Sequence, residues 1–489
     1  MEINYQNIRN DCMQWVAKGQ TVVRTEIDLK DRGGATKLLT VNVSATVTSV
    51  ETVEGKAQAA GKVTYKILYL DGEGKTCGLD YFADFDMDVE DEAIAVGEAS
   101  ATAGVLDADY TLSSDRIQLE AVCEINVLAV VSHEADAVAA VEGECLEEEI
   151  STVTLTAIPD STFELVEEVE VGTGVDRVLY FDAKALHTAT RMGVDSTTVE
   201  GKVAAVVVYK TQGEVREKEI AFDFAEQLDV EGEVDITLAT KQAKLVLTGE
   251  DDDNVLRIEM VLAARGYRVN RNDYVLVADA YVADCDLVVR RDSFVCRRFA
   301  GQLSRTERIT AKVGDDLPVS ASVIAATAST VNVANLIAGD GQITVEGLAV
   351  ASVLYRTEEG AYDATEVEMP FSTAFASEGV SEDCLLSGEA IALDVSAVGG
   401  TVEMTLLFSV KCYRPTLVRY TTAIEATERA NTDAVMSVYF AAPDESVWDV
   451  ARAVHVAPSE LLRQNPALAE PQEDGQLRRV VVFRHRDLD

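Results

Sequence analysis

Positive charge, histidine, long apolar runs and paired cysteines are all scarce or missing in this chain, and each shortage removes a class of function. Lys and Arg number 42 against 85 Asp and Glu, a formal charge of -43. A surface of that sign repels phosphate backbones and anionic headgroups, so neither nucleic acid nor a membrane surface is an expected partner. Its plainest consequence is solubility, with a basic partner or a salty cytoplasm as the alternatives. No apolar run reaches the roughly 18 residues of a membrane span, so no membrane insertion is expected. The opening MEINYQNIRNDCMQWVAKGQ has neither the cationic nor the apolar region of a signal peptide, and the expected compartment is the cytoplasm.

The eight cysteines (12, 77, 123, 145, 285, 296, 384 and 412) form no CxxC pair. Cys123 and Cys412 fall on alternating apolar positions, where a thiol is a small hydrophobe, and the pattern suits a reducing interior. Four histidines, at 133, 187, 455 and 485, stand in unrelated segments without metal-ligand spacing. GxSxG, GxxxxGK[ST] and strand-linked GxGxxG are absent. EDDDN, residues 250–254, lacks the glycine and distal glutamate of a calcium loop and reads as a solvated turn. Carboxylates are so numerous that close pairs arise by chance. No catalytic residue, metal site or cofactor is therefore expected, and the chain reads as non-enzymatic.

What is present is apolar and repetitive. At 489 residues with 47% hydrophobic side chains, roughly three or four packed domains are expected. GKVTYKILY begins at Gly61, GKVAAVVVY at Gly201 and GLAVASVLY at Gly347, and each glycine is followed eight residues later by Tyr69, Tyr209 or Tyr355. A glycine-bearing connection follows, then Phe85, Phe224 or Phe371 closes the unit. About 31 residues further on come IQLEAVCEINV, LRIEMVLAARGY and VEMTLLFSVKC. In the first and third of these every second residue is apolar, the mark of a strand with one buried face, and the second is less regular. The glycines read as close backbone packing or bulges and the tyrosines as core, with a row of binding tyrosines as the alternative. A further segment, RRDSFVCRRFAGQLSRTER (290–308), gathers six arginines in an otherwise acidic chain and reads as an inter-domain contact, with a partner patch as the alternative.

These repeats resemble the SPOCS domain of Gram-positive spore-forming bacteria, chiefly through ITVEGLAVASVLY, EVEMPF and VEMTLLFSVKCYRP. The third copy keeps the Pro370-Phe371 closure, whereas the others have Asp84-Phe85 and Asp223-Phe224.

Near the C-terminus the pattern changes. Ser446 and Asp449 can form a capping box, Pro458 suits a first helical turn, Asn465-Pro466 ends a helix, and LRRVVVF (477–483) reads as a strand. This β-α-α-β order, with DESVWDVA, ELLRQNP and GQL, resembles a LysM module. The resemblance implies a shallow groove for N-acetylglucosamine polymers lined by Glu445, Ser446, Val447, Leu461, Asn465 and Pro466. Asp444-Glu445 replaces the usual Gly-Asp, and Ala457 replaces a polar cap. Trp448 reads as core rather than sugar platform, and Asn465 as a helix-end cap.

The expected architecture is mainly β: three tandem β-sandwich-like repeats (1–140, 141–285 and 286–425) followed by a small LysM domain (433–485). This combination is similar to SipL-type spore morphogenesis proteins. The resemblance implies a mother-cell adaptor at the forespore surface that helps tether the spore coat. Its partner would be the coat-basement ATPase or another coat protein, bound through the LysM module. Peptidoglycan binding in wall or cortex, and a scaffold that self-associates through strand edges, are the alternatives.

Overall fold

The computed structural model describes the chain except residues 1, 93, 95–98, 114, 172–173, 249–254, 283–285, 315–316, 319, 428–434, 470–476 and 485–489. EDDDN, Cys285, Gly475-Gln476 and His485 therefore lie outside the described residues.

The protein is mainly β. β1 (Ile3–Asp28), β6 (Arg116–Val141) and β5 (Ala99–Ser113) form one antiparallel sheet, in the order β1-β6-β5. β2 (Lys37–Val53), β3 (Lys56–Leu70) and β4 (Thr76–Glu90) form a second, and the two enclose a core that includes Val43, Tyr65, Ile117 and Ile125. The plan recurs twice. In the second sandwich β9 (Arg177–Met192), β10 (Thr197–Thr211) and β11 (Glu214–Leu228) face a sheet built on β12 (Val234–Thr248) and β13 (Val255–Tyr281). The strand matching β1 is split into β7 (Glu144–Ala157) and β8 (Ser161–Glu170), which pair with successive stretches of β13. Pro159 lies in the gap, where its missing amide cannot extend the ladder. The third sandwich sets β14 (Asp286–Lys312), β19 (Thr401–Thr427) and β18 (Leu385–Val398) against β15 (Ser322–Gly339), β16 (Gln342–Arg356) and β17 (Tyr362–Ala376).

Alternation builds these cores. Every second residue of 117–127 and 402–412 is buried. Leu256, Ile258, Met260, Leu262 and Ala264 do the same in the middle copy, whose irregular pattern arises because Ala263 is buried on the opposite face.

The glycine-tyrosine repeat has a specific geometric cause. Gly61 faces Phe85 across the β3–β4 ladder, Gly201 faces Phe224, and Gly347 faces Phe371. A Cβ on these glycines would stand 2.3, 2.2 and 2.5 Å from the phenylalanine Cζ. It would also stand 2.5, 2.6 and 2.1 Å from the carbonyl oxygens of Thr46, Leu186 and Asn332 on the other flanking strand. The ring lies on the glycine, so any side chain there is excluded. Tyr69, Tyr209 and Tyr355, an even number of residues on, are buried, whereas the residue before each points the opposite way. Those three, Leu68, Val208 and Leu354, meet in one cluster with Leu39, Tyr180 and Ala325.

That cluster draws on all three sandwiches and marks an approximate threefold axis. β3 and β4 touch β9, β11 touches β15, and β16 and β17 touch β2, so the sandwiches close into a ring. The far halves of the long strands pack about the same axis, joining Ile8, Ala137, Ile150, Leu276, Cys296 and Val418. Strand edges at the joints are met by side chains. Asn10 and Asp11 accept from the amides of Val153 and Leu155 (3.1 and 3.0 Å), and Glu217 and Glu219 accept from Ala326 and Val395 (3.1 and 2.7 Å). The arginines of 290–308 serve the joints too. Arg298 donates to the Ser151 carbonyl and Arg291 to that of Ala278 (2.7 Å), both in the second sandwich.

The C-terminal module consists of β20 (Met436–Ala441), α1 (Val447–Val454), α2 (Pro458–Gln464) and β21 (Arg478–Phe483). β20 and β21 pair antiparallel.

Candidate functional site

The module is held together by its own polar side chains. Ser446 accepts from the Asp449 amide (3.2 Å), and Asp449 accepts from the Ser446 amide (2.8 Å), closing a capping box at the start of α1. The Ser446 hydroxyl and amide hold the Asp449 carboxyl below the usual carboxylate range. α2 starts at Pro458 behind Ala457, whose side chain offers no cap. At its end Asn465 Nδ2 donates to the carbonyls of Leu461 (3.2 Å) and Val481 (2.9 Å), and its Oδ1 accepts from the Val481 amide (3.0 Å). The helix end is thereby tied to β21.

The six residues expected to line a groove fall into two classes. Glu445 accepts from the Tyr439 hydroxyl (2.6 Å) and the Ala442 amide (2.7 Å), Ser446 caps α1, Leu461 is fully buried, and Asn465 ties α2 to β21. Val447 is half-buried against the module core, and Pro466 is exposed. Among the described residues, no hydrogen bond joins Glu445, Ser446 or Val447 to Asn465 or Pro466.

Sequence reasoning missed how the module is seated. Tyr281, at the end of β13, belongs to the module core alongside Val450, Leu461 and Val480. Its hydroxyl donates to the Val456 carbonyl (2.7 Å), and its ring meets Trp448 edge-on with centroids 5.1 Å apart. Burial pushes the Tyr281 phenol up to about 12. Two residues earlier, buried Asp279 accepts from Trp448 Nε1 (2.9 Å) and Arg452 Nη1 (2.8 Å) through Oδ2. Arg291 stands 3.6 Å from its other oxygen. His455, left-handed at the α1 C-terminus with φ 52, places Nδ1 2.9 Å from the Val282 carbonyl. Trp448 is therefore an anchor between module and ring. The available signal was an aspartate and a tyrosine closing the otherwise apolar run YVLVADAY.

Seated this way, the module turns one face of β20–β21 outward. Tyr439, Ala441, Val480 and Val482 point into its core, and alternation sends Met436, Val438, Phe440, Val481 and Phe483 the other way. Met436, Val438, Phe440 and Phe483 are 53, 47, 59 and 57% exposed, too much grouped apolar surface for scattered single residues. Exposed Arg479 faces Phe440 across the ladder, and among the described residues of β20 and β21 no acidic side chain is on this face.

The chain matches no family model, no curated protein and no solved structure.

Three other titratable side chains, His187, His133 and Glu217, have structural partners. His187 contacts the Ile236 and Ala189 carbonyls (3.1 and 3.0 Å), and burial, with Lys411 nearby, lowers its pKa to about 4. His133 stacks on Phe294 at 5.7 Å. Burial raises Glu217 to about 8 although it accepts from the Ala326 amide. No group of three metal-ligating side chains is gathered among the described residues.

Proposed function

We propose that this chain is a non-enzymatic adaptor: a ring of three SPOCS-like sandwiches that carries a LysM-type module used for protein binding. The observation that carries this reading is the outward face of Met436, Val438, Phe440, Val481 and Phe483, presented by a module fixed to the ring through Asp279 and Tyr281. A fixed module loses little orientational freedom when a partner docks, and a flat apolar face suits protein rather than sugar. Four of the six residues at the glycan-groove positions are engaged in internal contacts. The resemblance to SipL-type proteins supplies the setting: the mother-cell cytoplasm and the forespore surface, with the coat-basement ATPase or another coat protein as partner.

Because Tyr281 is part of the module core, the test uses the full chain. Immobilised protein is offered a sporulating-cell lysate and, separately, purified peptidoglycan. The expected result is retention of the coat-basement ATPase, lost in Val438→Asp with Phe440→Asp, and no retention on peptidoglycan. Competable peptidoglycan binding without the ATPase would make this a wall- or cortex-binding protein instead. Concentration-dependent growth in size without either ligand would favour the scaffold.

A further inference from the structure

The ring is sealed at one joint and open at another. Between the second and third sandwiches, Gln302 donates to the His187 carbonyl (2.8 Å), and Lys411 and Tyr413 both bond Asp235 (2.6 and 2.5 Å). Leu186, Ala204, Ile391 and Leu407 pack beside them. The matching positions between the third and first sandwiches can be read from register. β1 has a bulge between Trp15 and Ala17, and β14 one between Phe299 and Gly301. The next residue in each strand, Lys18 and Gln302, pairs with Asn126 and Lys411 respectively. At this second joint the stitches are gone. Lys18 turns back to Glu124 of its own sandwich (2.6 Å), and Asn126 also donates to Glu124. Among the described residues, a single hydrogen bond from the cleft lining crosses, from Trp15 Nε1 to the Leu386 carbonyl (3.2 Å). A cleft of about 800 Å³ occupies the space.

Three edge strands border this cleft, β5 at residues 102–106, β15 at 331–336 and β18 at 385–390. Among the described residues each pairs on one side only, with β6, β16 and β19 respectively. β15 and β18 lie against each other, and β5 against β2, without pairing, so the amides and carbonyls that face away from each ladder at the cleft have no strand partner among the described residues. Leu106, Leu336 and Leu385 supply apolar lining, and Gly104 leaves room where its side chain would project. Glu389 is water-accessible although protein surrounds it, and burial raises its carboxyl while Lys411 opposes that shift. Glu124 is paired with Lys18, and Glu389 is the other carboxylate in the cleft lining.

We propose that this open joint is a peptide-binding site that takes an extended polypeptide segment by strand addition, with alternating apolar residues and a Lys or Arg opposite Glu389. The two sealed-or-open joints share one strand plan, so the opening is a property of these side chains rather than of the fold. The inference is independent of the module and its partner.

The test uses the full chain at about 0.15 M salt, where long-range attraction to the acidic surface is screened. The probe is an acetylated, amidated peptide of four Val-Lys repeats. Four Pro-Lys repeats carry the same charge but lack alternate backbone amides, and four Val-Glu repeats reverse the charge. Binding is read by anisotropy, and hydrogen exchange is followed at residues 102–106 and 386–390. The expected result is binding of Val-Lys alone, slowed exchange at both edges, loss in Gly104→Phe, and about tenfold weakening in Glu389→Lys. Equal binding of Pro-Lys, no binding at millimolar peptide, or slow exchange at both edges in the free protein would overturn the proposal. So would protection of the same edges by an N-acetylglucosamine oligomer in place of the peptide.

Discussion

Asp279→Ala should loosen the module on the ring without unfolding the ring. The wild-type carboxylate is 7% exposed and takes hydrogen bonds from Trp448 and Arg452, with Arg291 3.6 Å away. Each bond to a charged group contributes about 1.5–3 kcal/mol, and Arg452 and Arg291, 40 and 53% exposed, are solvated once the carboxylate is gone. The loss is therefore about 2–4 kcal/mol from the bonds of Trp448 and Arg452 together, a large share of what an interface this small can supply. Trp448 reports the event directly, because Trp15 is the chain's other tryptophan and can be replaced by Phe. In that background Trp448 emission is expected to shift to the red in Asp279→Ala, while the far-ultraviolet melting of the β ring stays within a few degrees of wild type. Arg452→Ala should produce part of the shift, and the double variant should add little to Asp279→Ala. Unchanged Trp448 emission in Asp279→Ala would refute the seat. Strict additivity of the two substitutions, within about 0.5 kcal/mol, would refute the shared bond.

Three further outcomes are expected from other parts of the molecule. Gly347→Ala should lower thermal stability by about 3 kcal/mol or more, because its Cβ would fall 2.1 Å from the Asn332 carbonyl oxygen, whereas Gly104→Ala, 3.7 Å from its nearest neighbour, should be close to neutral; equal melting temperatures would contradict the role of the glycine repeat. Leu354→Ala, at the threefold cluster, should cost about 2–5 kcal/mol in urea unfolding, and a loss under about 1 kcal/mol would mean that the axis is not packed as described. His187 and Glu217 act in opposite directions with pH. His187, lowered to about 4, stays neutral when folded, so its contribution is lost as pH falls from about 6.5 towards 4; Glu217, raised to about 8, keeps its proton when folded, so stability declines as pH rises from about 4.5 to 8. Glu217→Gln should therefore flatten the alkaline decline, and an identical pH profile would argue against a buried carboxyl at this joint.

Strand content was legible because alternation is a local property. Residues 117–127 and 402–412 state their buried face outright, and the capping box at Ser446 and the stop at Asn465 follow from short-range chemistry. The repeat of glycine, tyrosine and phenylalanine was legible as a repeat, but its meaning needed register. Only pairing shows that Phe85 lies on Gly61, and that Leu68 rather than Tyr69 reaches the threefold axis. The ring itself was hidden, since its contacts join residues such as Thr40 and Ser352, whose hydroxyls meet at 2.8 Å across 312 positions. Trp448 shows the same limit. Its place on an apolar helical face suggested core, and that face proved to be shared with β13 of a distant sandwich. The open joint was likewise invisible, because Lys18 and Gln302 become comparable only after their strands are aligned by bulges.

The most direct measurement is site-specific photocrosslinking of the full chain in a sporulating-cell lysate, with a benzoylphenylalanine placed at Phe440 or at Pro466. Phe440 lies on the outer face of β20, and Pro466 follows α2, where the LysM resemblance implies a glycan groove. The adaptor account predicts that the coat-basement ATPase is captured from position 440 and not from 466. Capture of peptidoglycan fragments from 466, with nothing specific from 440, would contradict it.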